Sequence, residues 1–529
     1  KPFYSATYIP PEPRYGITGF NELLRVVANK YQTEKNTLIE KAEEILRFIN
    51  PDKRKIEATK LDTSIITRFI SQAKQLYDTQ NGGFNKAPKF PQVSLLLLLL
   101  DLHRVTGNSE ALDMVTHSLI SMAKGGLRDL VEGGFCRYST DDEWLVPHFE
   151  KMTYDNALLS ELYLKAHHVT NDPFYKQVAF ETIDFMLSKM SENNLFYSAS
   201  DADNEGKEGS YFIYGYEESI LSFEKAGIPK EACKSVAKAL HITPQGNFEG
   251  KNIIRIDDPV TCDIPYVETA IKALQHERMQ RNYPFIDKKI LVSWNAMMIK
   301  TLFIAARTDK QYLEPAINCL DSLLKYLYPN SQLFHTTLIG KEPKVHAFLE
   351  DYAYLADALI EAHQTTLDEM YLITATKLTN NAIERYYNHG LWKFSRGEFE
   401  TDADIYDSSY PSSLAIMLGV LHSLSSLVDT VYKKFVFKTL EIHSYNVMRQ
   451  PISSPMMSRM VIRYLKDDII IKANEEKLLQ EICRIDHITY PFTYFKNDTN
   501  GGFMLCNSSS CFGHEETFEK ITQYLNERR

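Results

Sequence analysis

Cysteine is scarce in this chain, seven in 529 residues, and no two stand as Cys-x-x-Cys. The odd, scattered number points to a reducing compartment, and the missing spacing excludes a dithiol redox motif. A basic surplus is also lacking. Lys and Arg number 59 against 69 Asp and Glu, a net charge of -10, and the pI is near 5.9. No basic run interleaved with aromatics is present, so a nucleic-acid scaffold is excluded. Long apolar runs are missing as well. The longest, Val93 to Leu100, meets Asp101 and is too short to cross a bilayer. Neither G-x-G-x-x-G nor G-x-x-x-x-G-K-[ST] occurs, which removes the two commonest nucleotide-binding loops. No signal peptide is visible, though the chain opens at Lys1 rather than Met, so the true N-terminus is expected upstream. A cytoplasmic location is expected.

What is abundant is apolar and aromatic. Hydrophobic residues make up 44% and aromatics 12%, with 31 tyrosines. That is enough for a real core, and tyrosine-rich clefts suit ligands with apolar faces and hydroxyls. One stretch organises the rest, Glu132 to Ala157. Within it Arg137, Tyr138, Trp144, His148, Glu150, Tyr154 and Asp155 crowd into nineteen positions. Gly133-Gly134 breaks a helical pattern, Pro147 delays the next helix, and Ala157, Leu158 and Leu162 resume the periodicity. A long loop that delivers polar and aromatic groups to the start of a helix is more than a cap requires.

Residues 1–51 differ from the remainder. Lys1 to Pro11 reads as a strand, followed by a helix carrying Leu23, Leu24, Val26 and Val27 and a second helix over about 34–49, ended by Pro51. One strand and two helices do not make a domain, so this is expected to be the tail of a larger one. Residues 52–62 read as a charged linker. From 63 to 529 helix follows helix. An aromatic signature recurs at Gly82-Gly83-Phe84, Gly133-Gly134-Phe135, Leu195-Phe196, Leu333-Phe334-His335 and Leu391-Trp392, each time between two helices. We read six hairpins, with first helices near 64–80, 110–130, 173–190, 268–282, 312–328 and 369–387. Second helices start near 93, 152, 216, 294, 350 and 411. Six long hairpins close into a ring, an (α/α)6 barrel, rather than an open solenoid.

In such a ring every loop that precedes a second helix lies at one end. Five motifs then converge: Arg137 to Asp155, Ser198 to Tyr211, Asp287 to Asn295, Phe348 to Tyr354 and Tyr406 to Ser412. Helix N-termini point there too. Aromatic rings, amides and carboxylates together suit a polyhydroxylated ligand. The expected catalytic residues are His148, Glu150, Asp201, Glu350 and Asp351. The expected substrate contacts are Arg137, Tyr138, Trp144, Asp155, Asp203, Trp294, Asn295, Tyr352, His346 and Asp407. His148, with His346 second, would serve as the base of an epimerisation; Glu150, Asp201, Glu350 and Asp351 could supply the paired carboxyls of a glycosidase. Asp155 is expected to cap the helix it begins. The Asp201 to Phe212 loop resembles an EF-hand at Asp201, Asp203, Glu205 and Gly206, but Phe212 stands where the bidentate Glu belongs, so calcium is not expected. Cys506 and Cys511, with His514 nearby, are too few for structural zinc and read as ordinary thiols. His103, His117 and His241 read as ordinary helix or surface residues. No metal or cofactor is expected. The expected partner is a small carbohydrate-like molecule, with no nucleic acid and no membrane.

Several motifs taken together resemble the YyaL-like, spermatogenesis-associated family: Lys1-Pro2-Phe3-Tyr4-Ser5-Ala6-Thr7-Tyr8-Ile9-Pro10-Pro11, Gly82 to Pro91, Val146-Pro147-His148-Phe149-Glu150-Lys151-Met152, Asp201-Ala202-Asp203, Ser293-Trp294-Asn295 and Leu349-Glu350-Asp351-Tyr352-Ala353. The resemblance implies a thioredoxin-like domain followed by a six-hairpin barrel similar to those of N-acylglucosamine 2-epimerase, cellobiose 2-epimerase and six-hairpin glycosidases. It implies a sugar epimerase or isomerase, or a glycosidase. The alternative is a binding or redox-adaptor protein whose thioredoxin-like half carries the activity. The family's cysteine-containing redox segment is expected upstream of Lys1. Tyr410-Pro411-Ser412-Ser413-Leu414-Ala415 lacks the glycine and asparagine usual after that Pro-Ser.

Overall fold

A computed structural model describes residues 4–6, 8–14, 16–49, 57–204, 206–260, 264–397, 400–499 and 501–527. The chain divides into two compact units, Lys1–Ala58 and Thr59–Arg529.

In the first unit, helices α1 (Phe20–Thr33) and α2 (Lys35–Ile49) are both amphipathic and lie against each other. Among the described residues of the strand expected over Lys1–Pro11, Tyr4–Ala6 and Tyr8–Pro10 pair with no ladder; Lys1–Phe3 and Thr7 lie outside the described residues. Pro10 instead accepts a hydrogen bond from the Phe20 N–H that opens α1, at 2.8 Å. Of the expected linker, residues 52–56 lie outside the described residues.

The second unit is a ring. Its helices, in chain order, are α3 (Ser64–Leu76), α4 (Val93–Thr106), α5 (Ser109–Ala123), α6 (Thr153–Thr170), α7 (Pro173–Lys189), α8 (Tyr216–Lys225), α9 (Lys230–Ala239), α10 (Val267–Arg278), α11 (Val292–Thr308), α12 (Leu313–Leu327), α13 (Leu349–Thr366), α14 (Glu369–Tyr386), α15 (Ser413–Leu427), α16 (Lys433–Arg449) and α17 (Pro455–Lys466). Helix α4 packs on α6, α6 on α11, α11 on α13, α13 on α15, α15 on α17, and α17 returns to α4. That closes an inner ring. Outside it α5 lies on α4, α7 on α6, α12 on α11, α14 on α13, α16 on α15, and α3 on α17. The fold is an (α/α)6 barrel. Inner helices are buried almost all round, because they lie between the lumen and an outer partner; in α4 every residue from Val93 to Leu102 is buried.

The hairpins differ in membership from the sequence reading. The helices near 216 and 268 are not ring members. With α9, α8 and α10 make a satellite inserted between α7 and α11, with its own core around Tyr214, Phe223, Val236, Ile254 and Leu274. The sixth hairpin is α16–α17, which the sequence reading left out. Periodicity reports an apolar face; it does not report which neighbour covers it.

Beyond α17 a four-stranded sheet runs in the order Thr493–Asn497, Ile469–Ala473, Phe503–Cys506, Cys511–Glu515. Its core is Ile471, Phe495, Leu505 and Phe518. Cys506 and Cys511 are not free thiols: they form a disulfide across the last hairpin. The segment that links two of its strands and enters the second, Ile485 to Tyr494, covers the lumen where the inner helices end. Behind it lies a cavity of about 130 Å³ lined by charged pairs. Lys300 bridges Glu161 at 3.3 Å and Asp357 at 2.9 Å, tying α6, α11 and α13 together. Arg307 holds Asp486 of the covering segment at 2.7 Å.

Candidate functional site

The opposite end of the ring, where inner helices begin, is built by a repeated device. Asn156 on α6 accepts the Phe135 N–H at 2.7 Å and donates to the Phe135 and Met152 carbonyls. Asn295 on α11 does the same for Phe196, at 2.7 Å and 2.9 Å, and for Leu291. Each clamp fixes the recurring aromatic signature to the start of an inner helix. At Gly133-Gly134-Phe135, a Cβ on Gly134 would stand 2.6 Å from the Phe185 ring, and φ is +78° there, so only glycine fits. Lys151 and Arg278 both hold the buried Asp129 carboxylate, at 2.9 Å and 2.7 Å. This locks the organising stretch to the satellite.

On that frame sit two clusters joined by aromatic rings. The first is on α13. The Asp351 carboxylate is fully buried, takes the Phe348 N–H at 2.8 Å and faces His335 Nδ1 at 3.0 Å. Glu350 is buried beside it, 3.9 Å from His335 Nδ1, and accepts the Tyr410 hydroxyl at 3.0 Å. Burial, and then the neighbouring Asp351 charge, push the Glu350 carboxyl up to about 7. Burial also raises Asp351. Burial alone would lower His335, but its hydrogen bond to Asp351 and the two adjacent carboxylates outweigh that and raise it. The result is a carboxyl that titrates near neutrality beside an imidazole held above its ordinary value, groups of the kind acid–base chemistry uses. Among the described residues this is the one group with three metal-type donor atoms, within 4.8 Å of one another. Its Asp351 oxygens are already taken by the imidazole and a backbone N–H.

The second cluster is the organising stretch. Arg137 donates to Glu150 at 3.0 Å. His148 Nδ1 pairs with Glu208 at 2.8 Å, and its Nε2 stands 3.8 Å from Glu150. Asp155 is buried, and its Oδ2 accepts no hydrogen bond. Burial therefore holds its carboxyl well above the ordinary value, against the pull of Arg137. It does not cap α6 as expected; the cap position is Met152, without a side-chain bond. The Tyr154 ring joins the clusters, 4.8 Å edge-on from Trp294 and 5.1 Å from Tyr410.

The expected residues thus separate. Arg137, His148, Glu150 and Asp155 fall in one cluster, Glu350 and Asp351 in the other, and Trp294 between them. Asp407 lies at the same end, but its carboxylate caps the Ser412 and Met456 N–H groups at 2.8 and 2.9 Å. Tyr138 stacks on Phe90 and meets the His148 ring at a tilt. Asp201 and Asp203 are exposed on the loop whose hairpin presents Glu208; Glu205 lies outside the described residues. Trp144 is a core residue, its indole donating to the Asn81 carbonyl at 3.0 Å. Asn295 is the clamp just described. Tyr352 turns toward α14 and takes Arg385. His346 is exposed and stacks on Phe334. His335, Tyr154, Tyr410 and Glu208 were absent from the expected set. His335 stood in the aromatic signature and Tyr154 in the organising stretch; Tyr410 and Glu208 carried no signal beyond a place in their loops.

A closed ring of helical hairpins, with aromatic rings and buried carboxyls where its inner helices start, defines an (α/α)6 toroid. The chain is similar to spermatogenesis-associated protein 20 of Rattus norvegicus, 29% identical over 520 residues, 87% of this chain and 66% of that protein. It is similar also to the human protein of that name, 28% identical over 93% of this chain and 70% of that one. Residues 1–50 match the family described as Thioredox_DsbH, protein of unknown function, DUF255. Among solved structures, cellobiose 2-epimerase from Bacillus thermoamylovorans B4167 aligns over 77% of this chain and 100% of its own, at 10% identity and a TM-score of 0.49. No helix is long and apolar enough to cross a membrane among the described residues.

Proposed function

We propose that the barrel is a sugar-active enzyme that moves a proton at a carbon next to a carbonyl, as an epimerase or isomerase does. The observation that carries this reading is the buried Glu350 carboxyl, titrating at about 7 beside His335 and beneath Tyr410. One of the pair removes the proton and the other returns it or protonates the carbonyl oxygen. Asp351 orients the imidazole through Nδ1. Trp294 and Tyr410, both half-buried, offer rings on which a sugar's C–H face stacks, with the buried Tyr154 ring behind them. Arg137 and His148 reach hydroxyls from the other cluster.

Hydrolysis, the second reading in the sequence, finds less support. It needs two free carboxyls on opposite sides of the bond. Asp351 is spent on His335 and Phe348, and Glu150 on Arg137.

The test is exchange of the C2 proton in D2O, followed by NMR over a panel of reducing mono- and disaccharides. Glu350→Gln and His335→Asn are each expected to lower exchange on a substrate by about a hundredfold or more, the usual worth of a positioned acid or base. Folding of each variant is checked by circular dichroism. Undiminished exchange in both variants ends the proposal.

A further inference from the structure

Beside the mouth lies an open cleft of about 980 Å³ between the segment Tyr283 to Lys289 and residues Leu338 to Lys341. We propose that this cleft is a subsite for an acidic sugar residue, so that the substrate of the barrel is a saccharide carrying a carboxylate. This rests on the proposed function and narrows its substrate class.

Three observations carry it. The first is position. Lys289 pairs with Leu338 on the strand Phe334–Leu338. His335 is three residues earlier on that strand, on the order of 10 Å away at a strand's rise per residue. The Phe285 carbonyl accepts the Asp201 N–H at 2.8 Å, which ties the cleft floor to the other motif of the mouth. A ligand of two rings spans both places.

The second is surface. Phe285 is 72% exposed and Leu338 44%, so an apolar face is offered where a core would cover one. Such a face takes the C–H side of a pyranose. The third is charge. Lys189, Lys288, Lys289 and Lys341 line the cleft against two lining carboxylates, Glu192 and Asp287, a surplus of two positive charges on a chain of net charge -10. Those carboxylates engage two of the lysines and Glu132, outside the lining, a third, which leaves one ammonium unspent. Lys288 stands 3.7 Å from Glu192, and Lys189 only 3.6 Å from Glu132. Lys289 is held by Asp287 at 2.7 Å. The Lys341 ammonium has no partner among the described residues. Flexible ammonium groups beside an apolar platform recognise a carboxylate attached to a ring.

The experiment uses the whole chain and two probes that differ at their carboxyl groups, ionised in one and methylated and neutral in the other: digalacturonate and its dimethyl ester. Calorimetry at low salt is expected to give the acid about tenfold tighter binding than the ester, with the preference fading at high salt. The double variant Lys288→Gln/Lys341→Gln is expected to erase the preference, and Phe285→Ala to weaken both probes alike. Equal binding of acid and ester, or a preference that survives the double variant, overturns the subsite. So does tighter binding of the acidic peptide Glu-Phe-Glu than of digalacturonate, which assigns the cleft to a protein partner. A retained preference without proton exchange on any sugar ends the proposed reaction and leaves the subsite standing; intact exchange with no preference ends the subsite alone.

Discussion

Glu350 makes stability depend on pH in a definite direction. Its carboxyl ionises near 4.5 when unfolded and at about 7 in the fold. Between those values the folded chain holds a proton that the unfolded chain has released, so stability falls as pH rises through that window. At about 1.4 kcal/mol per pKa unit the loss is on the order of 3 kcal/mol. Glu350→Gln is expected to flatten the curve, so its melting temperature relative to the unaltered chain improves between pH 5 and 8. Asp155 follows the same sign. It is buried, without a partner for Oδ2, and raised well above the ordinary carboxyl value. Asp155→Asn should therefore leave the fold at least as stable at pH 8 as the unaltered chain; a large loss in urea unfolding would show that the acid is ionised and paired. At this scale the sequence was half legible. Glu350 and Asp351 announced themselves by type and place. His335 did not, because its partner is sixteen positions away and only strand pairing brings them together. Trp144 and Asn295 misled for the opposite reason: the groups that suit a ligand also suit a buried loop, and residue type does not separate the two uses.

Among the elements, the asparagine clamps explain how short signatures place long helices. Each satisfies a backbone N–H and two carbonyls that burial would otherwise strand. Asn156→Ala and Asn295→Ala are each expected to cost about 2–4 kcal/mol, since several buried groups lose partners at once, measured as a shift in urea midpoint with an unchanged slope. The C-terminal hairpin offers a simpler check. Cys506 and Cys511 should resist alkylation until a reductant is added, whereas Cys483, exposed and free, should react at once. The helices themselves were well marked by periodicity and by glycine breaks. The satellite was misread because α8 and α10 bear apolar faces like those of ring members. Only Tyr214, Phe223 and Leu274 meeting in a separate core reveals the difference.

For the molecule as a whole, the covering segment matters as much as the mouth. Asp486 is held well below the ordinary carboxylate range: burial opposes ionisation, but the Arg307 charge beside it prevails. A depressed pKa contributes stability at neutral pH that is lost as pH falls through the acid range. Asp486→Asn should cost about 3–5 kcal/mol at pH 7, the usual consequence of breaking a buried pair, and should cost less at pH 3. Thermal unfolding at the two pH values decides it. A closed ring of long hairpins was legible in the periodicity and the signature spacing, but its count reached six by setting the satellite's helices against the missed α16–α17. What covers its far end was not, because Ile485 to Tyr494 carries no periodic pattern of its own.

The closure of the inner ring by α17 on α4 has a consequence for how the chain is made. During synthesis α4 emerges early and its final neighbour last but for the terminal sheet. For most of translation the six consecutive leucines Leu95–Leu100 line an unfinished arc with one flank open to water. Contacts so distant in sequence form slowly and leave sticky intermediates. The nascent barrel is thus a natural client for a folding helper at the ribosome, and a chain released before residue 455 should aggregate where the full chain stays dispersed.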